Sequence, residues 1–108
     1  MALVTKRDNA TTYPKYVLVI RSGTRTAADF EVDIGFRPVK VLVTNLTDRV
    51  SAQWDHVSGN AKQLVTVANG DRTYEDGGLA VTGRDLAVDV SVKDLETDDD
   101  VVMIEAWG

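Results

Sequence analysis

Asp55 and His56 stand side by side, a carboxylate next to the chain's single imidazole, the residue types of a general acid/base couple. Adjacent side chains on a strand point to opposite faces, so this pair does not meet. No serine in a fitting context completes a nucleophile–base–orienter set, and there is no second histidine for a metal site. His56 therefore reads as a structural residue at a strand end. Asp98-Asp99-Asp100, with Asp94 and Glu96 nearby, offers the oxygen ligands that calcium takes. Calcium loops spread their acids over alternating positions and bend at a glycine, so three consecutive acids read as a solvated turn. Asp76-Gly-Gly78 lacks both the Gly-Lys-Ser/Thr signature and the following helix of a phosphate loop. Its glycines read as positions of positive φ.

The aromatic residues Trp54, Trp107, Tyr13, Tyr16 and Tyr74 could stack against a sugar. An aromatic on the regular face of a strand is more simply core, which is the reading for Trp54. Trp107, close to the last residue given, is the aromatic expected at an interface. No catalytic, cofactor-binding or metal-ligating residue follows from these patterns. The residues expected at an interface are Leu3, Val4, Tyr13 and Trp107.

The elements that must position these residues are strands. Phe30, Val32 and Ile34 alternate with Asp29, Glu31 and Asp33, the period of a strand with one dry face. A Gly-Phe-Arg-Pro corner follows, then Val39, Val41 and Val43 along one face. Val50, Ala52 and Trp54 alternate with Ser51, Gln53 and Asp55, and Leu86, Val88, Val90 and Val92 with Ala87, Asp89 and Ser91. Tyr16 to Ile20 is a continuous apolar run, read as a strand buried on both faces. Val101 to Trp107 reads as the last strand. Asn45-Leu-Thr-Asp48, Asn69-Gly70 and Gly83-Arg-Asp85 are turns, the first closed by its own side chain. The pattern predicts an all-β fold, a compact antiparallel β-sandwich or barrel of about eight short strands. Connections this short hold no crossover helix, so pairing is antiparallel. Residues 1–14 are polar apart from Leu3-Val4 and read as an extended N-terminal arm. Residues 15–108 read as a single β-domain.

The chain has 108 residues, 44% hydrophobic and 27% charged, a normal globular balance for one domain. Without cysteine there is no disulfide framework, thiolate metal site or thiol nucleophile. A net charge of −5 with scattered basic residues argues against nucleic acid as a partner. The first residues carry no apolar core of a secretory leader, and no apolar run reaches the roughly 20 residues of a membrane span.

The segment Ile34-Gly-Phe-Arg-Pro-Val-Lys-Val-Leu-Val-Thr-Asn-Leu-Thr-Asp48, followed by Gln53-Trp54, resembles a family of small tailed-bacteriophage virion proteins. Its members share a Gly-Phe-x-Pro corner, a strand ending in Asn-Leu-Thr-Asp and a tryptophan soon after. Leu64-Val-Thr-Val-Ala-Asn-Gly-Asp-Arg-Thr73 and Gly77-Gly-Leu-Ala-Val-Thr82 resemble it too, so the likeness runs from about residue 28 onward. The chain departs from the pattern at His56 to Lys62, where relatives more often carry a Gly- and Met-containing loop. The resemblance implies a non-enzymatic particle component: first a capsid decoration (cement) protein, next a tail or fibre component. It implies the major capsid protein as partner and a homo-oligomer, a trimer being one arrangement around a local axis. It also implies synthesis in the host bacterial cytoplasm and residence on the capsid surface of the virion. The competing reading from the aromatic residues alone is a carbohydrate-binding module.

Overall fold

A computed structural model describes residues 15–24, 26–57, 59–60, 62–90, 95 and 98–108. Leu3, Val4 and Tyr13, and with them the proposed arm, lie outside the described residues, as do Asp94, Glu96 and Val92. The described residues form nine strands: β1 (Tyr16–Arg21), β2 (Phe30–Asp33), β3 (Lys40–Asn45), β4 (Val50–Asp55), β5 (Lys62–Thr66), β6 (Arg72–Asp76), β7 (Leu79–Thr82), β8 (Asp85–Val88) and β9 (Val102–Trp107). Every pairing is antiparallel. One sheet has the order β1-β9-β3-β4-β5-β6 and the other β2-β8-β7. The open choice between sandwich and barrel is thereby resolved: two separate sheets close over one core. Among the described residues no helix is long and apolar enough to cross a membrane.

Alternation decides which side chains enter that core. From the six-stranded sheet come Val41, Val43, Val50, Ala52, Trp54, Val65, Val102, Ile104 and Ala106. The small sheet contributes Leu79, Leu86 and Val88, and the connecting segments contribute Ile34 and Leu95. Ile104 lies opposite both Val19 and Val43, and Val43 opposite Ala52, so one inward-facing row crosses four strands, buried except at the partly covered Val19. Such β-branched rows pack well on a pleated surface. The two sheets are also linked outside the core, where the Arg21 guanidinium carbon sits 4.1 Å from the centre of the Phe30 ring.

Turn chemistry sets the register. Asn45 Oδ1 accepts the backbone N–H groups of Thr47 and Asp48, both at 3.0 Å, closing the β3–β4 hairpin as its composition predicts. Gly70 takes φ 93° between β5 and β6, a conformation that side chains with a Cβ rarely adopt. Val39, the residue after Pro38, already donates to Trp107 O at 2.7 Å. The proline therefore sits just outside the ladder, where a missing N–H costs nothing.

Two expectations are corrected. Tyr16 to Ile20 is not buried on both faces: Tyr16, Leu18 and Ile20 are about half exposed, at 50%, 49% and 51%. β1 is the last described strand of its sheet, and the core covers only its Val17–Val19 side. Asp98-Asp99-Asp100 is not simply a solvated turn, since Asp100 retains only 4% exposure. Its carboxylate accepts a hydrogen bond from the fully buried Asn45 Nδ2 at 2.7 Å. Hydrogen bonding to such a donor is what allows a polar group to be buried at all. Asp98 Oδ1 accepts from the backbone N–H of Ala27 at 2.7 Å.

Candidate interaction surface

The outward side of the six-stranded sheet follows from the same alternation that builds the core. Leu18, Glu105, Leu42, Gln53, Leu64 and Tyr74 form one row across all six strands. Ile20 and Met103 begin the row on one side of it, and Tyr16, Trp107, Lys40 and Asp55 form the row on the other. Eight of these side chains are apolar or aromatic. Tyr16, Leu18, Ile20 and Tyr74 are exposed, and Leu42, Leu64, Met103 and Trp107 are partly buried. Contiguous apolar surface of this kind marks a contact site more often than an isolated exposed leucine does.

Trp107, the aromatic expected at an interface, is partly buried and is contacted by Tyr16 and Lys40. Its ring centre is 5.5 Å from that of Tyr16 at an interplanar angle of 50°, and Lys40 Nζ lies 5.1 Å from it. The tilted stack and the overlying ammonium fix the indole in a single orientation. The Tyr16 hydroxyl donates to Glu105 Oε2 at 2.9 Å. That hydrogen bond, with lesser contributions from desolvation and the carboxylate's charge, raises the Tyr16 phenol above its ordinary value of about 10. A phenolate facing Glu105 is disfavoured, so the folded state holds its proton longer. The associated stabilisation is complete below the unfolded value and is lost as pH climbs through the folded one. In an absorbance titration, Glu105→Gln is expected to bring the Tyr16 ionisation midpoint down, with Tyr16→Phe identifying the signal. An unmoved midpoint would remove the hydrogen bond from this account.

The opposite exterior differs in kind. On the small sheet Glu31, Ala87 and Ala80 form one outward row, and Asp33, Asp85 and Thr82 the next. Arg84 answers part of that charge, its Nε 3.3 Å from Asp33 Oδ1. An open groove of about 490 Å³ runs here, floored by Ala80 and Ala87 and edged by Asp29, Glu31 and Asp89. Asp29 Oδ1 accepts the Val90 N–H at 3.1 Å, so this carboxylate already ties down the chain. On the six-stranded exterior, by contrast, Lys40, Lys62 and Arg72 are interspersed with Asp55 and Glu105.

The residues first considered for chemistry are spread apart. Asp55 Oδ1 caps the turn by accepting Val57 N–H at 2.9 Å. His56 Nδ1 instead lies 3.3 Å from Val39 O, in a hollow of about 210 Å³ shared with Trp54, Asn60 and Gly83. Trp54 is core, as expected, at 5% exposure. Its Nε1–H donates to Asn60 Oδ1 at 2.9 Å, and the same oxygen accepts Val81 N–H at 2.9 Å. Gly77 and Gly78 take φ 77° and 101°, the positive values assigned to them. Among the described residues no three His, Cys, Asp or Glu side chains are grouped to hold a metal ion. The arrangement is suited to adhesion: an apolar exterior with charges of both signs on one side, and an acidic exterior on the other.

The outward positions of Tyr16, Leu18, Ile20 and Leu64 do not follow from the sequence reading, whereas Tyr74, weighed there as an aromatic for a sugar platform, is exposed. For the first three the signal was present as a bare alternation, Tyr-x-Leu-x-Ile, masked by valines in the intervening positions. Comparison with protein-family models, curated proteins and solved structures finds no match to the chain.

Proposed function

We propose that this protein is a structural component of a bacteriophage virion, acting as a capsid decoration (cement) protein that adheres to the head and to copies of itself. The observation that carries the adhesive part is the apolar exterior of the six-stranded sheet. The virion part is supported by the resemblance of Ile34–Asp48, Leu64–Thr73 and Gly77–Thr82 to small phage particle proteins. Burying this exterior against the major capsid protein removes apolar surface from water at about 25 cal/mol per Å² before association costs. The acidic exterior of the small sheet then faces solvent, where like charge keeps free subunits apart and soluble. Repetition over a symmetric shell lets each contact be modest.

Cryo-electron microscopy of purified particles tests this reading by position and copy number. Hundreds of copies on the head are expected, whereas a few to a few dozen at one end would assign the chain to the tail or a fibre. Tyr74→Lys combined with Leu64→Lys, far from β1, is expected to cut particle occupancy by about 10-fold or more. Thr82→Lys on the other sheet should leave occupancy unchanged. Equal loss in both would separate the adhesive surface from binding.

A further inference from the structure

β1 is the last of the described strands in the six-stranded sheet, and its backbone groups face two ways. Lys15 N–H donates to Gly108 O at 3.0 Å, and Gly108 N–H donates back to Lys15 O at 2.9 Å. In an antiparallel ladder such reciprocal pairs alternate with pairs that turn their polar groups away. The register Tyr16↔Trp107 through Arg21↔Val102 continues that alternation along β1. Val17, Val19 and Arg21 therefore aim their backbone groups at β9. Tyr16, Leu18 and Ile20 aim theirs outward, past the last described strand of the sheet. These same three residues carry the half-exposed apolar side chains.

Natural edge strands are blunted with proline, a bulge or a charge pointing along the open side. Residues 16–20 contain none of these residue types: they read Tyr-Val-Leu-Val-Ile. The run is also self-complementary when reversed. With a two-fold axis at Val19, Leu18 lies opposite Ile20 of the partner subunit, and Tyr16 opposite Ser22 of the partner subunit. Val19 meets its own symmetry mate, and Arg21 lies opposite Val17 of the partner subunit. Moving the axis one residue, to Leu18, would set Lys15 against Arg21 of the partner subunit. Like charges directly opposed destabilise a strand pair, so charge selects the register at Val19.

We propose that β1 is a homotypic docking edge: two copies pair antiparallel through Tyr16–Arg21 about a two-fold axis at Val19, joining their six-stranded sheets into one. The inference rests on the reading of this protein as an adhesive subunit and names one partner of that surface. Tyr16, Leu18 and Ile20 with their backbone offer several hundred Å² per copy, short of the roughly 800 Å² per partner of a stable association. The pair is accordingly weak in solution, with Kd on the order of 10 μM. Where copies are held side by side the effective concentration exceeds this and the pairing closes.

Sedimentation equilibrium of the full chain across a range of concentrations tests the proposal, together with amide hydrogen exchange. A monomer–dimer equilibrium is expected, with the amides of Tyr16, Leu18 and Ile20 exchanging freely when dilute and becoming protected as dimer accumulates. Leu18→Pro removes an outward N–H without touching the β1–β9 ladder, a position where an edge strand tolerates proline. It should abolish the dimer, as should Leu18→Lys, while Thr82→Lys leaves Kd unchanged. A chain that stays monomeric, forms a trimer, or dimerises in both Leu18 variants overturns the proposal. So does protection of those three amides in the dilute monomer, which would mean that the chain's own residues cover the edge. A monomer that still decorates particles would overturn the pairing and leave the adhesive reading standing. A dimer found on no particle would do the reverse.

Discussion

Trp54→Ala is expected to lower the unfolding free energy by about 3–5 kcal/mol, the range for emptying a buried tryptophan site. For a domain of this size, that corresponds to a fall in melting temperature of about 20 °C or more. The effect is large because the side chain does two jobs. Its ring fills the core between Val41, opposite it on β3, and the small sheet. Its Nε1–H binds Asn60 Oδ1, which in turn holds the Val81 backbone N–H of β7. Asn60 thus pins the loop after β4 to the small sheet, with its Nδ2 reaching Val81 O at 3.3 Å. Trp54→Phe keeps most of the volume and loses only the N–H, so it should cost about 1–2 kcal/mol. Chemical denaturation monitored by circular dichroism separates the two variants. A loss below about 1 kcal/mol for alanine would show that Trp54 does not organise the core.

The second large effect is expected at Asn45. This residue is fully buried, receives two backbone N–H groups on Oδ1, and donates Nδ2 to the carboxylates of Asp100 at 2.7 Å and Asp48 at 3.3 Å. Asn45→Asp keeps the shape and the acceptor but replaces the donor with a third carboxylate. At neutral pH this should cost about 3–5 kcal/mol, the scale for leaving a buried charge without its compensating group. The sign of the pH dependence follows from like charges crowding one site, which raises carboxyl pKa values in the folded state above the unfolded ones. The folded variant then binds more protons than its unfolded chain in the acid range, so its deficit shrinks as pH falls. Unfolding curves at neutral and mildly acidic pH test this. A deficit independent of pH would mean that the lost hydrogen bonds, and not the added charge, dominate.

Asp100 marks the limit of reading such a segment one residue at a time. Three consecutive aspartates look like solvent-facing charge, and two of them are exposed. The third is drawn inside because Asn45, 55 residues away, presents an amide donor there. The neighbouring bonds Leu46 N–H to Val101 O and Val101 N–H to Thr47 Oγ1, at 2.8 and 3.0 Å, lock the two segments together. A short-range pattern carries no trace of such a pairing. The same holds for Tyr16 and Glu105, 89 residues apart, whose hydrogen bond raises the Tyr16 phenol above its ordinary value.

From the chain alone one can read the all-β class, the antiparallel pairing, the turns at Asn45–Asp48 and Asn69-Gly70, and the inward residues of β3, β4 and β8. These are local properties: a pleat has period two, and a turn is chosen by the few residues that form it. Whether an apolar run is interior or edge is different, because it depends on which strand arrives beside it. β9 enters between β1 and β3 from the far end of the chain, and this places Tyr16, Leu18 and Ile20 on the last described strand of the sheet, with only their valine neighbours over the core. Tertiary structure alone therefore decided where the apolar exterior lies, since burial is a property of neighbours in space and not of neighbours in sequence.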